Sequence, residues 1–193
     1  MKEINNDITS ANTLTGDFYC SDIIFNDIKA KVFERSWQYI CSDLDLKNKN
    51  SVVPFVLLDK FISEPLILIN HKNKISCLSN VCTHRGNILV DKKTVLKSNI
   101  VCGYHGKSFN KNGDFVFMPE TKGMQNFPCP EDNLTKISLE KWFQFIFVSL
   151  NPIIPFENII NDLRNRISWM PIDKFFLRDD LSKSYIIDAN WAL

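Results

Sequence analysis

The sequence predicts an α+β fold, mostly antiparallel β, with a helical segment at each end. Three observations carry this reading. Short β-prone runs broken by turn residues fill Trp37 to Leu150, Asn112-Gly113 sits between Phe109 and Phe115 as a hairpin signal, and helical periodicity is confined to the flanks. The runs are Trp37–Ile40, Val52–Leu57, Leu66–Ile69, Ile75–Val81, Asn99–Cys102, Phe115–Met118, Lys136–Leu139 and Phe143–Leu150. An Asn-Gly pair suits a type I′ turn, which needs positive φ at both central residues. Asn70–Lys74 reads as a second, looser turn.

Ahead of the β region, Ser21 is placed to cap a helix running to about Arg35, with Ile24, Ile28 and Val32 beside Phe25 and Phe33 as its apolar face. Behind it, Pro155 and Glu157 open a helix with Ile159, Ile160, Leu163 and Ile167 on one side and Arg164 and Arg166 toward its end. A strand-like Tyr185–Ile187 leads to Asn190-Trp191-Ala192-Leu193, an apolar ending that reads as mid-pattern.

Composition narrows the classes. With 45% hydrophobic residues and 15 Phe among 193 residues, the chain buries a real core, which excludes disordered and fibrous proteins. A net charge of +1 argues against a nucleic-acid partner. Met1–Gly16 lacks a cationic start followed by an apolar core, and the uncharged run Trp142–Phe156 is short and broken by Pro152 and Pro155, so neither a secretory signal nor a membrane partner is expected. Six Cys are too sparse for a disulfide-stapled secreted domain, and a cytoplasmic, reducing setting is expected. Only three His are present, so every proposed site shares them.

The chemistry is concentrated in Cys82-Thr83-His84-Arg85-Gly86 and Cys102-Gly103-Tyr104-His105-Gly106. Each segment offers one thiolate and one imidazole, with small Gly residues that let backbone approach an inorganic group. This S2N2 set suits zinc or iron–sulfur and not magnesium or calcium. A zinc finger takes both Cys from one turn and both His from one helix, whereas each loop here supplies one of each. Two such loops can place Cys82 and Cys102 on one metal and His84 and His105 on its neighbour, as a Rieske [2Fe-2S] centre requires. A plant-type ferredoxin fails: Cys77 and Cys82 have C-x4-C spacing, but the next ligand position is Arg85. Cys20, Cys41, Cys77 and Cys129 read as packing or surface thiols, and His71 as an exposed loop residue.

With those motifs, and with Phe33-Glu34-Arg35-Ser36-Trp37, Asn80-Val81, Asn112-Gly113-Asp114, Asn126-Phe127-Pro128 and Asn190-Trp191, the sequence resembles the Rieske iron–sulfur proteins, in particular the α subunits of Rieske non-haem iron oxygenases. The resemblance implies a Rieske-type domain over residues 37–151, an N-terminal helical arm over 1–36, and the beginning of a truncated catalytic domain over 152–193. It implies cluster ligation by Cys82, His84, Cys102 and His105. Two departures from the family pattern stand out: the disulfide of respiratory Rieske proteins is absent, its positions matching Asn87 and Tyr104, and Lys107 follows Gly106 where those proteins have Ser and many ring hydroxylases have Trp.

The resemblance further implies an oxidoreductase, a mono- or dioxygenase, that takes electrons from a reductase or ferredoxin and passes them to a mononuclear Fe(II), often across a homotrimer. That iron needs two His and a carboxylate. With His84 and His105 committed only His71 remains, so no catalytic residue is assigned in this chain and the oxygen-activating iron is expected in a missing C-terminal domain. The alternatives are a stand-alone Rieske-type ferredoxin carrier, disfavoured by the flanking segments, and a structural zinc module. Because oxidised iron acidifies the ligating imidazoles, the redox potential is expected to fall as pH rises through their ionisation; a potential constant across the alkaline range would refute this.

Overall fold

A computed structural model describes residues 4–192. Met1–Glu3, the start of the expected helical arm, and Leu193, the last residue of the Asn190–Leu193 motif, lie outside the described residues. Ten strands follow in order: β1 Gln38–Ser42, β2 Ser51–Leu57, β3 Glu64–His71, β4 Lys74–Ser79, β5 Thr94–Val95, β6 Ile100–Val101, β7 Ser108–Phe109, β8 Phe115–Phe117, β9 Lys136–Trp142 and β10 Phe145–Ser149. Seven form one antiparallel sheet in the order β1-β10-β9-β4-β3-β2-β5, and β6-β7-β8 form a small second sheet.

Strand β3 explains how one short chain builds two cores. Its residues Leu66, Ile67, Leu68 and Ile69 are all fully buried. Since successive side chains point to opposite faces, Leu66 and Leu68 join Leu57, Cys77, Ile146 and Val148 on one side, while Ile67 and Ile69 join Val52, Leu78, Ile100 and Phe109 on the other. The second core also contains Cys82 and Cys102, so the chemical segments are anchored by their thiols in the apolar interior. Each buried aliphatic side chain contributes about 1.5–3 kcal/mol.

The two turn types are exchanged relative to expectation. Lys72 and Asn73 both have positive φ, 53° and 64°, and join β3 to β4 with His71 opposite Lys74, which is the tight I′ geometry. At Asn110–Asp114 only Gly113 has positive φ, +86°, and the Gly113 N–H donates to the Asn110 carbonyl at 3.0 Å. Asn110 Oδ1 accepts the N–H groups of Asn112 and Asp114, so a side chain shapes this wider loop. A methyl group added at Gly113 would meet Leu78 at 3.1 Å and Leu134 at 3.3 Å, which accounts for glycine beyond its φ.

At the flanks, helix α1 spans Gly16–Cys20 and α2 spans Asp22–Ile28, continuing as a wider π turn over Lys29–Phe33. Ser21 stands at the start of α2 but makes no side-chain cap. Ile28 is buried, and Phe25 and Phe33 each place their rings 4.9 Å from Phe61, whereas Val32 is exposed. Helix α3 spans Phe156–Ile167 and packs by Phe156 and Ile160 against Trp142 and Ile172. Ile159 and Leu163, expected on the buried side, are exposed because that contact follows the single stripe at i and i+4. Tyr185–Ile187 forms no ladder: no described strand lies beside it, and all three side chains are exposed. The chain ends are tied together, with Trp191 against Phe33 at 5.1 Å and the Asn190 amide donating to the Tyr19 carbonyl.

Candidate metal centre

Both chemical segments are loops closed by paired residues, Val81 opposite Ile88 and Val101 opposite Ser108. Inside each, the Cys N–H donates across the neck, Cys82 to the Asn87 carbonyl and Cys102 to the Lys107 carbonyl, both at 2.8 Å. Each Cys carbonyl then accepts from the glycine four residues on, Gly86 at 3.0 Å and Gly106 at 3.1 Å. Those glycines have φ of +70° and +73°, a conformation other residues adopt at a cost. The two loops are one backbone design used twice.

Buried Asn80 fixes the first loop: its amide donates to the Val90 carbonyl at 2.7 Å and its oxygen accepts the Val90 N–H at 2.9 Å. Across the gap, the Asn87 amide donates to Cys102 Sγ at 3.7 Å. Cys82 and Cys102 lie in the same buried core and act on each other electrostatically, and the His84 and His105 rings lie 4.8 Å apart. Sulfur thus meets sulfur and imidazole meets imidazole.

The local electrostatics act in opposite directions on the two thiols. Burial pushes the Cys82 thiol up, and the neighbouring Cys102 adds to this. Burial acts upward on Cys102 too, but the backbone N–H groups of Tyr104 and His105, the Cys82 thiol and the Asn87 amide outweigh it and hold Cys102 below the usual thiol range. Partial burial, with the nearby His105, Arg85 and Lys107, holds His84 below its ordinary value, keeping it neutral as a ligand must be. His105 Nδ1 is buried with no hydrogen-bond partner, an arrangement that costs about 1–3 kcal/mol unless something occupies that lone pair. A soft metal between the loops satisfies it.

Among the described residues no three His, Cys, Asp or Glu side chains converge on one point. Two thiols and two imidazoles are the donor set that Cys82, Cys102, His84 and His105 would offer an iron–sulfur cluster. His71 lies at the opposite end of β4, beside a cavity of about 400 Å³ lined also by Lys74, Cys77 and Lys136, and it takes no part in the paired loops.

Residues 36–128 match the Rieske [2Fe-2S] domain family. This segment is similar to Rieske [2Fe-2S] domains. The chain is 28% identical to the carnitine monooxygenase oxygenase subunit of Escherichia coli (strain K12) over 141 residues, covering 72% of this chain and 37% of that protein. It is 26% identical to the 2-halobenzoate 1,2-dioxygenase large subunit of Burkholderia cepacia, covering 100% of this chain and 44% of that protein. In fold it is similar to the apo form of a quaternary ammonium Rieske monooxygenase, with a TM-score of 0.72, 23% identity and coverage of 82% of this chain and 46% of the other. Naphthalene 1,2-dioxygenase with bound indole has a TM-score of 0.64 at 23% identity, over 75% of this chain and 32% of the other. The chain therefore resembles the N-terminal part of Rieske oxygenase α subunits and spans under half the length of these relatives.

The burial of Lys107 was not foreseen from the sequence, and the structure places it in the interior. It is 1% exposed, 2.6 Å from an Asp132 carboxylate oxygen, and its ammonium sits 5.4–5.8 Å from the ring centres of Phe109, Phe115 and Phe127. The only sequence hint was the departure at the position after Gly106.

Proposed function

We propose that this chain is the electron-transfer portion of a Rieske non-haem iron oxygenase α subunit, in which Cys82 and Cys102 hold one iron and His84 and His105 the other. The observation that carries the reading is the pairing of like ligands from two equivalent loops, with His105 Nδ1 buried and unsatisfied between them. A [2Fe-2S] cluster bound there supplies a reversible one-electron store, with a potential raised above that of four-cysteine clusters because two ligands are neutral. The residues do the rest. Backbone N–H groups of His84, Tyr104 and His105 stabilise negative sulfur, and the buried thiols exclude water from that side. Both imidazoles are at most partly buried, with Tyr104 packed on the His105 ring at 3.7 Å, so the histidine side is the one that would face a redox partner.

The donor in this proposal is a reductase or ferredoxin, and the acceptor is a mononuclear Fe(II) in a catalytic domain outside this chain, in the same subunit or a neighbour of a homotrimer. Residues 1–36 and 152–193 then form the arm and the opening of the catalytic domain on either side of the cluster domain. The contact of Trp191 with Phe33 supports this, since it packs the 152–193 segment against the arm. All six thiols are unpaired, in keeping with a reducing cytoplasm. Among the described residues, no helix is long and apolar enough to cross a membrane. Anaerobic reconstitution with iron and sulfide tests the reading: visible absorption and an EPR signal on reduction are expected, and a colourless protein containing zinc would overturn it.

A further inference from the structure

Lys107 is an unusual residue to bury. Lysine is almost never fully enclosed unless its charge is paired. Here the ammonium meets the Asp132 carboxylate on one side and the faces of Phe109, Phe115 and Phe127 on the others. Asp132 is held in turn: its second oxygen accepts the Cys129 N–H at 2.9 Å and the Cys129 thiol at 3.3 Å. Its backbone carbonyl accepts the Thr83 hydroxyl at 2.8 Å, so it reaches the first ligand loop, while Lys107 itself closes the neck of the second. The pair therefore joins the two loops from beneath, and its orientation is fixed. The carboxylate is turned toward Cys129 and is 15% exposed against 1% for the Lys107 side chain, leaving the ammonium in the interior against Phe109, which packs in the same core as Cys82 and Cys102. In that low-dielectric setting a charge acts strongly and is little screened by salt.

We propose that Lys107, pinned by Asp132, is a built-in potential-setting residue: its buried ammonium stabilises the reduced, more negative form of the centre bound by Cys82, His84, Cys102 and His105. This inference rests on the ligand assignment proposed above. It gives this chain a means of raising its potential other than a hydroxyl donor to sulfur. The three phenyl rings make it workable, because cation–π contacts offset part of the cost of removing an ammonium from water.

The test is the midpoint potential of the reconstituted chain in four forms: unsubstituted, Lys107→Arg, Lys107→Met and the double variant Lys107→Met/Asp132→Asn. The double variant removes both charges together and leaves no unpaired ion, so it holds the fold more firmly than Lys107→Met alone, which leaves Asp132 unpaired. Both Met-containing proteins are expected to favour the oxidised state at least tenfold more than the unsubstituted chain, a fall of about 59 mV for one electron. Lys107→Arg keeps the charge and should stay within a third of that shift. A structural role alone would lower melting temperature and iron retention without moving the potential of the clusters that do form. A double variant with a normal cluster spectrum and an unchanged potential overturns this inference while leaving the ligand assignment standing. If the unsubstituted chain takes up no cluster at all, both fall.

Discussion

The loops Cys82–Asn87 and Cys102–Lys107 share every backbone feature that matters, yet their ligands are spaced differently, His two residues after Cys in one and three in the other. What repeats is the turn, a neck bond from the Cys N–H and a left-handed glycine at the fifth position, while the imidazole is displaced by one residue. The final position separates the loops further. Asn87 is half-buried and donates across to Cys102 Sγ, whereas Lys107 is buried and carries the ion pair below. Equivalent backbones can therefore serve unequal electrostatic duties, one local to sulfur and the other acting through the interior.

Substitutions that break this equivalence should have graded effects. Cys102→Ala should have the largest, abolishing the cluster's visible absorption and lowering stability, because ligand bonds also hold the loops together; an unchanged spectrum would refute the assignment. Asn80→Ala should cost about 2–3 kcal/mol in denaturant unfolding and act on the first loop alone, since it orphans the buried Val90 N–H and carbonyl. Gly86→Ala and Gly106→Ala should each cost about 1–2 kcal/mol from left-handed strain. The two costs should agree closely, because the added carbon meets nothing at Gly86 and only ordinary contact with Pro119 at Gly106. Widely different melting temperatures would mean the loops are not equivalent.

Acid should separate the loops by a smaller effect. Burial works to raise the Asp132 carboxyl, but the Lys107 ammonium and the Cys129 N–H and thiol outweigh it and hold it below the usual carboxylate range. A depressed folded value means the stabilisation is complete above the unfolded value, about 3.9, and is lost as pH falls through the lower folded value. Amide exchange in the Thr83 loop, tied to Asp132, should therefore quicken below about pH 4 before exchange at Asn80 does. Simultaneous loosening would contradict the link.

The sequence made the β framework and the two Cys/His loops legible, since alternating apolar runs and Cys/His with glycine are local signals. It misled where the decisive partner was distant or the signal was generic. Lys72-Asn73 lacks the glycine that marks a tight turn, yet both residues take positive φ; Asn112-Gly113 carries that mark, yet Asn110 reshapes its turn. Lys107 stands out in the sequence only as a departure after Gly106, because its carboxylate partner and two of its three phenyl rings lie beyond the β7 strand that follows it. Tyr185–Ile187 has strand composition but no neighbour to pair with among the described residues.

The central claim is that His84 and His105 bind one iron and Cys82 and Cys102 the other. Pulsed EPR of the reduced, reconstituted chain carrying nitrogen-15 histidine tests it most directly. Two histidine nitrogen couplings are predicted, with two iron and two sulfide per chain, and both couplings should persist in His71→Ala. A spectrum without histidine coupling, or one that loses a coupling in His71→Ala, would contradict the account.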